Sequence, residues 1–414
     1  MNQTFRNSES LPLTGVKVVE FSHMIMGPSC GMILADLGAD VIKIEPFPHG
    51  DNTRRLNGSG AGFFPTFNRN KRSLVLDLKS KAGHEVAEKL IDGADVLIEN
   101  FRPGALEKLG FGYDRLSSSN PALIYCSLKG FLSGPYEHRA ALDEVVQMMG
   151  GLAYMTGPTG RPLRAGASVN DIMGGMFAAI AILASIQERT KTGKGQLVRS
   201  ALFENNVFLV AQHMLQLAVT GKPAAPLPER ISAWAVYDLF DTGDGEQIFV
   251  GVVSDTQWAA FCKSFGLEKF HANPDLQTNA SRVLHRSEFM PDIKAIFAKM
   301  TLKDALARCE EIGLPFAPIA KPQDLFDDPH VSQPGGTVDV VLPNGTCTKV
   351  PTLPIDFNGE RLGLRLDVPR SGEHSTQVLR ELGYSDADIA TLLVENAVGA
   401  DGASAEDQQI RKLA

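Results

Sequence analysis

The stretch that decides the fold is Val16-Lys-Val-Val-Glu-Phe21, then Gly27-Pro28, a helical run from Ser29 to Leu37 closed by Gly38, and Asp40-Val-Ile-Lys-Ile-Glu45. A short β-branched run, a helical period and a second β-branched run predict a βαβ unit. The pattern repeats. Ala82 to Ile91 has a helical period stopped by Gly93, Asp95-Val-Leu-Ile-Glu99 is a third strand, and Ala122-Leu-Ile-Tyr-Cys126 is a fourth. Apolar strands separated by helices predict an α/β fold with a mostly parallel sheet covered on both faces.

Further along, the region from Ala140 to Gly160 reads as a helix followed by a Gly/Pro loop. A long helix runs from about Asp171 to Arg189, and Lys191 to Gln196 reads as a turn before a short strand. Closely spaced prolines from Pro223 to Pro228 mark a linker. The section after it, about 225–325, is expected to form a smaller domain, with a strand over Gln247–Val253 and helices over Gln257–Phe265 and Leu302–Ile312. Ser375–Leu382 and Asp386–Leu393 read as short amphipathic helices, and the polar tail after Gly399 reads as disordered.

Composition narrows the function classes. The 414 residues carry 43% hydrophobic and 21% charged side chains, the balance of an ordinary folded protein. A net charge of −8 argues against a nucleic-acid scaffold but leaves room for a local anion site. Five scattered cysteines, with no C-x-x-C pair, fit a reducing compartment and offer no zinc or disulfide framework. The N-terminus lacks the apolar core of a signal peptide, and the apolar run Ile172–Ile186 is shorter than a membrane span. A soluble, cytoplasmic protein with no membrane or nucleic-acid partner is expected.

Three features could carry chemistry. Asp171 opens the long helix, where the positive helix end stabilises a carboxylate that could attack an activated acyl group. Aspartate at that place is also a common N-cap, and pattern alone favours the cap. Arg69-Asn-Lys-Arg72, with Lys79 after it and Arg54-Arg55 before it, could bind phosphate or form a solvated charged face. Gly58-Ser-Gly60-Ala-Gly62, Gly150-Gly151 and Gly193-Lys-Gly195 could expose backbone N–H groups to an oxyanion, or be simple turns. No G-x-G-x-x-G follows the first strand, so a dinucleotide site is poorly supported.

Taken together, the motifs resemble the class III CoA-transferase (CaiB/BaiF) family over nearly the whole chain. The carrying residues are Leu13-Thr-Gly15 through Glu20, Gly27-Pro28, Asp36 through Pro46 with Gly50-Asp51, and Asn70 through Lys79. They continue with Asp95 through Gly104, Thr192-Gly-Lys-Gly-Gln196 and Gly372-Glu-His374. The resemblance implies that Asp171 is the covalent nucleophile, with Asp143 and Glu144 as supporting acidic residues. It implies CoA or acyl contacts from Met24, Ile25, Met26, Leu76, Lys79, Asn100, Phe101 and Lys108. Arg72 of the basic cluster is counted with them. Ile25, where some relatives carry glutamine, implies a different acyl pocket.

The same resemblance implies a Rossmann-like large domain, a smaller α+β domain and an interlocked homodimer. Residues 1–220 would begin the large domain, 225–325 form the small one, and 326–414 return to the large one. The expected reaction moves CoA from an acyl-CoA, succinyl-CoA first among candidates, to a small dicarboxylic acid. It would pass through aspartyl anhydride and aspartyl-CoA thioester intermediates and need no bound metal or redox cofactor. Arg102, Arg139 and Arg164 could pair with the acid's far carboxylate. One rival is an α-methylacyl-CoA racemase, whose acid–base histidine would fall where Leu142 stands. The other is a non-catalytic acyl-CoA-binding subunit.

Overall fold

The computed structural model describes residues 5–401, which form two compact units: 5–224 with 329–401, and 225–328. The tail from residue 402 onward, part of the stretch read as disordered, lies outside the described residues, as does Met1–Thr4.

The larger unit begins with β1 (Lys17–Phe21), α1 (Met26–Asp36), β2 (Asp40–Pro46), α2 (Phe63–Phe67) and β3 (Lys71–Leu76). It continues with α3 (Lys81–Asp92), β4 (Val96–Glu99), α4 (Ala105–Lys108), α5 (Tyr113–Ser119) and β5 (Ile124–Lys129). Then come α6 (Asp143–Met149), α7 (Leu152–Thr156), α8 (Val169–Thr192), β6 (Leu197–Ala201) and α9 (Leu202–Thr220). The six strands pair in parallel in the order β3-β2-β1-β4-β5-β6. A short strand at Val398–Gly399, absent from the sequence reading, adds antiparallel to β3 with Val398 opposite Leu76. It protects an edge whose N–H and C=O groups would otherwise stand unpaired.

Each sheet face is covered by its own apolar cluster. One includes Val18, Ile98, Cys30 and Leu34 with Ala178 and Ile182 of α8. The other includes Val19, Phe21, Leu97 and Tyr125 with Val86 and Leu90 of α3. The alternation along β1 and β4 assigns each side chain to a face, because the strand period is two. The smaller unit has a three-stranded antiparallel sheet of β7 (Val236–Asp241), β8 (Gln247–Val252) and β9 (Phe316–Pro318). Its core is aromatic, with Phe240, Trp258, Phe261, Phe289 and Phe297 buried together.

The strands also carry buried charge. Glu20 lies opposite Lys43 in the β1–β2 register, and both are fully buried with Lys71 of β3. Lys43 Nζ is 3.2 Å from Glu20 and 3.1 Å from Asp51, while Lys71 Nζ is 2.8 Å from Glu20. Burial works to raise the Glu20 carboxyl, but Lys71 and Lys43 bring it below its usual value. Burial, aided by Lys43, lowers Lys71 to about 8 against the pull of Glu20. Removing one member of such a set costs about 3–5 kcal/mol, because the remaining charge loses its partner out of reach of water.

Helix α8 begins two residues before Asp171 and runs to Thr192, longer at both ends than the periodicity predicts. Gly193, in the left-handed region at φ 69°, stops it and donates its N–H to the Arg189 carbonyl. The helix sits against the start of α1 through Gly174 and Gly175. A Cβ on Gly175 would lie 1.9 Å from Ser29 Oγ and 2.8 Å from the Met26 carbonyl. Gly175→Ala gains up to about 1 kcal/mol of helix propensity, but overpacking against backbone costs about 1–3 kcal/mol. A lower urea midpoint is the expected outcome; an unchanged or higher one would mean that α1 and α8 are not held in this contact.

Candidate active site

In parallel α/β sheets the loops after the strands' carboxyl ends build the site. Here the loop after β1 holds His23 to Ile25 and leads into Met26 at the start of α1, and the loop after the neighbouring β4 holds Asn100 and Phe101. They are fastened together. Asn100 Oδ1 accepts from the His23 backbone N–H at 3.0 Å, and Asn100 Nδ2 donates to the His23 carbonyl at 2.8 Å. The His23 ring meets the Phe101 ring edge-on at 5.7 Å.

Met24 takes a left-handed conformation at φ 61°, uncommon for a non-glycine residue, and its surroundings hold it there. Its N–H donates to Thr53 Oγ1 at 3.0 Å, and that hydroxyl donates to Asp51 Oδ1 at 2.7 Å. Lys43 joins Asp51 to the Ser22 carbonyl at 2.5 Å, so the buried ion network ends in this loop. Met24 in the loop is exposed, whereas Ile25 and the first helical residue, Met26, are buried in the core. Ile25 therefore acts through packing in the isolated chain. Met26 reaches α8: a Cβ on Gly174 would lie 2.3 Å from Met26 Cε. The β1 loop thus lies one helical turn from Asp171.

Asp171 is the third residue of α8, and Ser168 occupies the N-cap position without a side-chain bond. Asp143 of α6 supplies the cap instead. Its Oδ1 accepts from the backbone N–H of Asn170 at 2.8 Å and of Asp171 at 3.3 Å. Its Oδ2 accepts from Gln147 Nε2. Relieved of the capping duty that its position suggested, the Asp171 carboxylate is free for other chemistry.

Nor is that carboxylate held firmly ionised. Burial, then Asp143 and Glu144, push it up to about 7, with Arg164 opposing them. A helix terminus contributes about 0.3–1 kcal/mol toward the charged form, and burial with two like charges exceeds that here. Arg164 forms an ion pair with Glu144 and lies 3.8 Å from Asp143 Oδ2. Asp143, Glu144, Arg164 and Asp171 therefore form one electrostatic unit, drawn from α6, the loop after α7 and α8.

The other candidates separate by position. Lys79, Asn100, Phe101 and Lys108 lie at or after the carboxyl ends of β3 and β4, with Lys79 and Lys108 exposed. Leu76 ends β3 at the same edge, but its side chain is buried in the core. Arg72 requires a correction. It sits at the opposite end of β3, bonded to Asp40 at 2.9 and 2.5 Å and to Glu381 at 2.7 Å. It clamps β2 and the C-terminal segment, at the end of the sheet away from the other candidates.

Most of the basic cluster follows Arg72 inward. Arg69 pairs with Asp36 at 2.6 Å, Lys71 with Glu20, and Arg54 with Glu45 at 2.6 Å. Those side chains are committed to carboxylates, whereas Arg55 and Lys79 stay exposed. Gly193-Lys-Gly195 is the stop of α8, and a Cβ on Gly195 would lie 2.1 Å from the Leu123 carbonyl, so this loop is packing. Sequence reasoning missed the Asp143 cap. The available signal was Leu-Asp-Glu opening a helical period, where acidic residues favour a helix start.

With this geometry in view, the sequence matches CoA-transferase family III over residues 13–375. The chain belongs to that family. It is 35% identical over 383 residues to a succinate–glutarate CoA-transferase of Agrobacterium fabrum, covering 90% of this chain and 96% of the relative. It is 31% identical over 394 residues to a succinyl-CoA:glutarate CoA-transferase of Mus musculus, covering 94% and 90%. A CaiB/BaiF family protein from Brucella suis has the same fold at TM-score 0.79 and 34% identity, covering 90% of this chain and 99% of that one. The protein is a family III CoA-transferase.

Any step that needs the ionised Asp171 carboxylate should slow about ten-fold per pH unit below 7. Asp143→Asn removes the stronger of the two repelling charges and should move that midpoint down. Rapid-quench measurement of enzyme acylation against pH checks both. A midpoint near 4 in the parent protein would show that the carboxylate is not poised as the structure describes.

Proposed function

We propose that the protein transfers CoA from succinyl-CoA to a small dicarboxylic acid, with Asp171 as the covalent nucleophile. The observation that carries this is a partly buried aspartate, free of capping duty, beside the β1 loop. The relatives named for succinate and glutarate support the substrate class.

Asp171 Oδ attacks the donor thioester carbonyl, the C–S bond breaks, and the CoA thiolate leaves behind an acyl-aspartyl anhydride. The thiolate then attacks the aspartyl carbonyl, releasing the donor acid as its carboxylate and leaving an Asp171–CoA thioester. The acceptor carboxylate attacks that thioester to form a second anhydride and free thiolate. Attack of the thiolate on the acceptor's carbonyl gives the new acyl-CoA and restores the Asp171 carboxylate. Lys79, Asn100, Phe101 and Lys108, with the exposed Met24, would hold the CoA along the strand ends. Leu142 fills the place where a racemase would need an acid–base histidine, which supports transfer over racemisation.

A homodimer belongs to the same reading. Faces of α8 and α9 expose large apolar side chains, Ile180 and Phe208 (67% accessible) and Val219 (84%) among them. Such a stripe on two long helices fits a subunit interface. Sedimentation equilibrium should give about twice the 44.7 kDa chain mass, and Phe208→Asp should shift the population toward one chain. A single-chain mass for the parent protein at micromolar concentration would remove the dimer from the proposal. A cytoplasmic location is proposed with it, supported by five free thiols, four of them buried.

The deciding experiment is mass spectrometry after incubation with succinyl-CoA and trapping with hydroxylamine. The expected result is a modification on the Asp171 peptide, lost with all CoA exchange in Asp171→Ala. Exchange that survives Asp171→Ala, or α-proton exchange without any adduct, would overturn the assignment.

A further inference from the structure

Binding a dicarboxylic acyl group at Asp171 poses a charge problem. Asp143 and Glu144 already place negative charge around the nucleophile and raise its carboxyl to about 7. A substrate whose far end is another carboxylate would add to that charge. Within the Asp143–Glu144–Asp171 cluster, the balancing cation is Arg164.

Arg164 is placed, not loose. Its Nε donates to the Ala165 carbonyl at 3.1 Å, and the Ala165 N–H donates to Gln147 Oε1 at 2.8 Å. Gln147 in turn bonds Asp143, the cap of α8. The arginine is therefore tied through its Nε to the same scaffold that positions Asp171. Its tip is not similarly committed. The Arg164 and Glu144 side chains are 36% and 50% exposed, and exposed ion pairs contribute only about 0–1 kcal/mol. The second pairing, to Asp143 at 3.8 Å, is beyond hydrogen-bonding distance. A guanidinium presents five N–H donors in a fork that suits a carboxylate.

Arg139 and Arg102 are placed differently. Arg139 lies over the Tyr136 ring at 5.1 Å, and Arg102 follows β4 in the Asn100–Phe101 loop.

We propose that Arg164 is the specificity-determining residue for dicarboxylic acyl groups: it exchanges Glu144 for the distal carboxylate of the acyl chain held at Asp171. This rests on the CoA-transferase reading of the site and adds to it the group that selects the substrate. Glu144 is then the placeholder that keeps the guanidinium at the site between substrates. An acyl group ending in methyl would leave the Arg164–Glu144 pair unbroken and gain nothing from it.

The test is calorimetric binding of succinyl-CoA and butyryl-CoA, which differ mainly in the terminal carboxylate, to the full chain carrying Asp171→Asn so that no turnover interferes. The parent Asp171→Asn protein should prefer succinyl-CoA. Adding Arg164→Gln should reduce that preference about ten-fold or more, and Arg164→Lys should restore part of it. Adding Glu144→Gln should leave the preference intact or increase it, since the guanidinium loses its competitor. A merely structural arginine would change both ligands alike. No preference in the parent, or a preference unchanged by Arg164→Gln, would overturn the proposal. The adduct experiment on Asp171 is independent of it. An adduct with no Arg164 effect removes only this inference, and an Arg164 effect with no adduct removes the covalent role of Asp171 while leaving a carboxylate subsite.

Discussion

The contact between Gly174–Gly175 of α8 and the first turn of α1 governs the site. With no side chains at those two positions, the helix axes approach closely enough for Met26 and Ser29 to touch the α8 backbone. That approach brings the β1 loop, fixed to the sheet, beside Asp171, fixed to the helix. Larger residues there would separate the β1 loop from Asp171, and small displacements of reacting groups are costly in rate. The same face of α8 carries Ala178, Ala179 and Ile182 into the core, so the contact that seats the β1 loop is also part of the packing.

Around this seat the protein places charge in two different ways. Beneath the β1 loop, Glu20, Lys43, Lys71 and Asp51 are paired in full burial, where opposite charges largely satisfy one another. That set ends in the Thr53–Met24 bond and holds the loop in a conformation it would not adopt alone. Around Asp171 the charges are alike, and the pairing is incomplete. Asp143 accepts from backbone N–H groups and Gln147, and its carboxylate, facing Asp171, raises that residue's pKa. Pairing gives rigidity, and like charge gives reactivity near neutral pH.

Much of this was legible in the chain. The βαβ repeat, the long helix, the linker near 225 and the family motifs come from period and local composition, which act over a few residues. Glu20 and Lys43 were visible too, as charges in otherwise apolar strands, but their pairing depends on a register that no local pattern states. The basic cluster was the clearest misreading. Arg69, Lys71 and Arg72 stand together in sequence, yet strand alternation sends neighbours to opposite faces and into separate ion pairs with Asp36, Glu20 and Asp40.

By itself, the sequence determined the α/β class, the parallel sheet, the family and the aspartate at the head of α8. Each follows from short-range regularities or from an ordered series of motifs. Tertiary structure alone decided that Asp143, 28 residues earlier in the chain, caps α8 in place of Asp171. It also decided that Arg164 and Glu144 share the site and that Arg72 does not. Hydrogen bonds and Coulomb forces act through space, so the ionisation and freedom of one carboxylate depend on what the fold brings within a few ångströms of it.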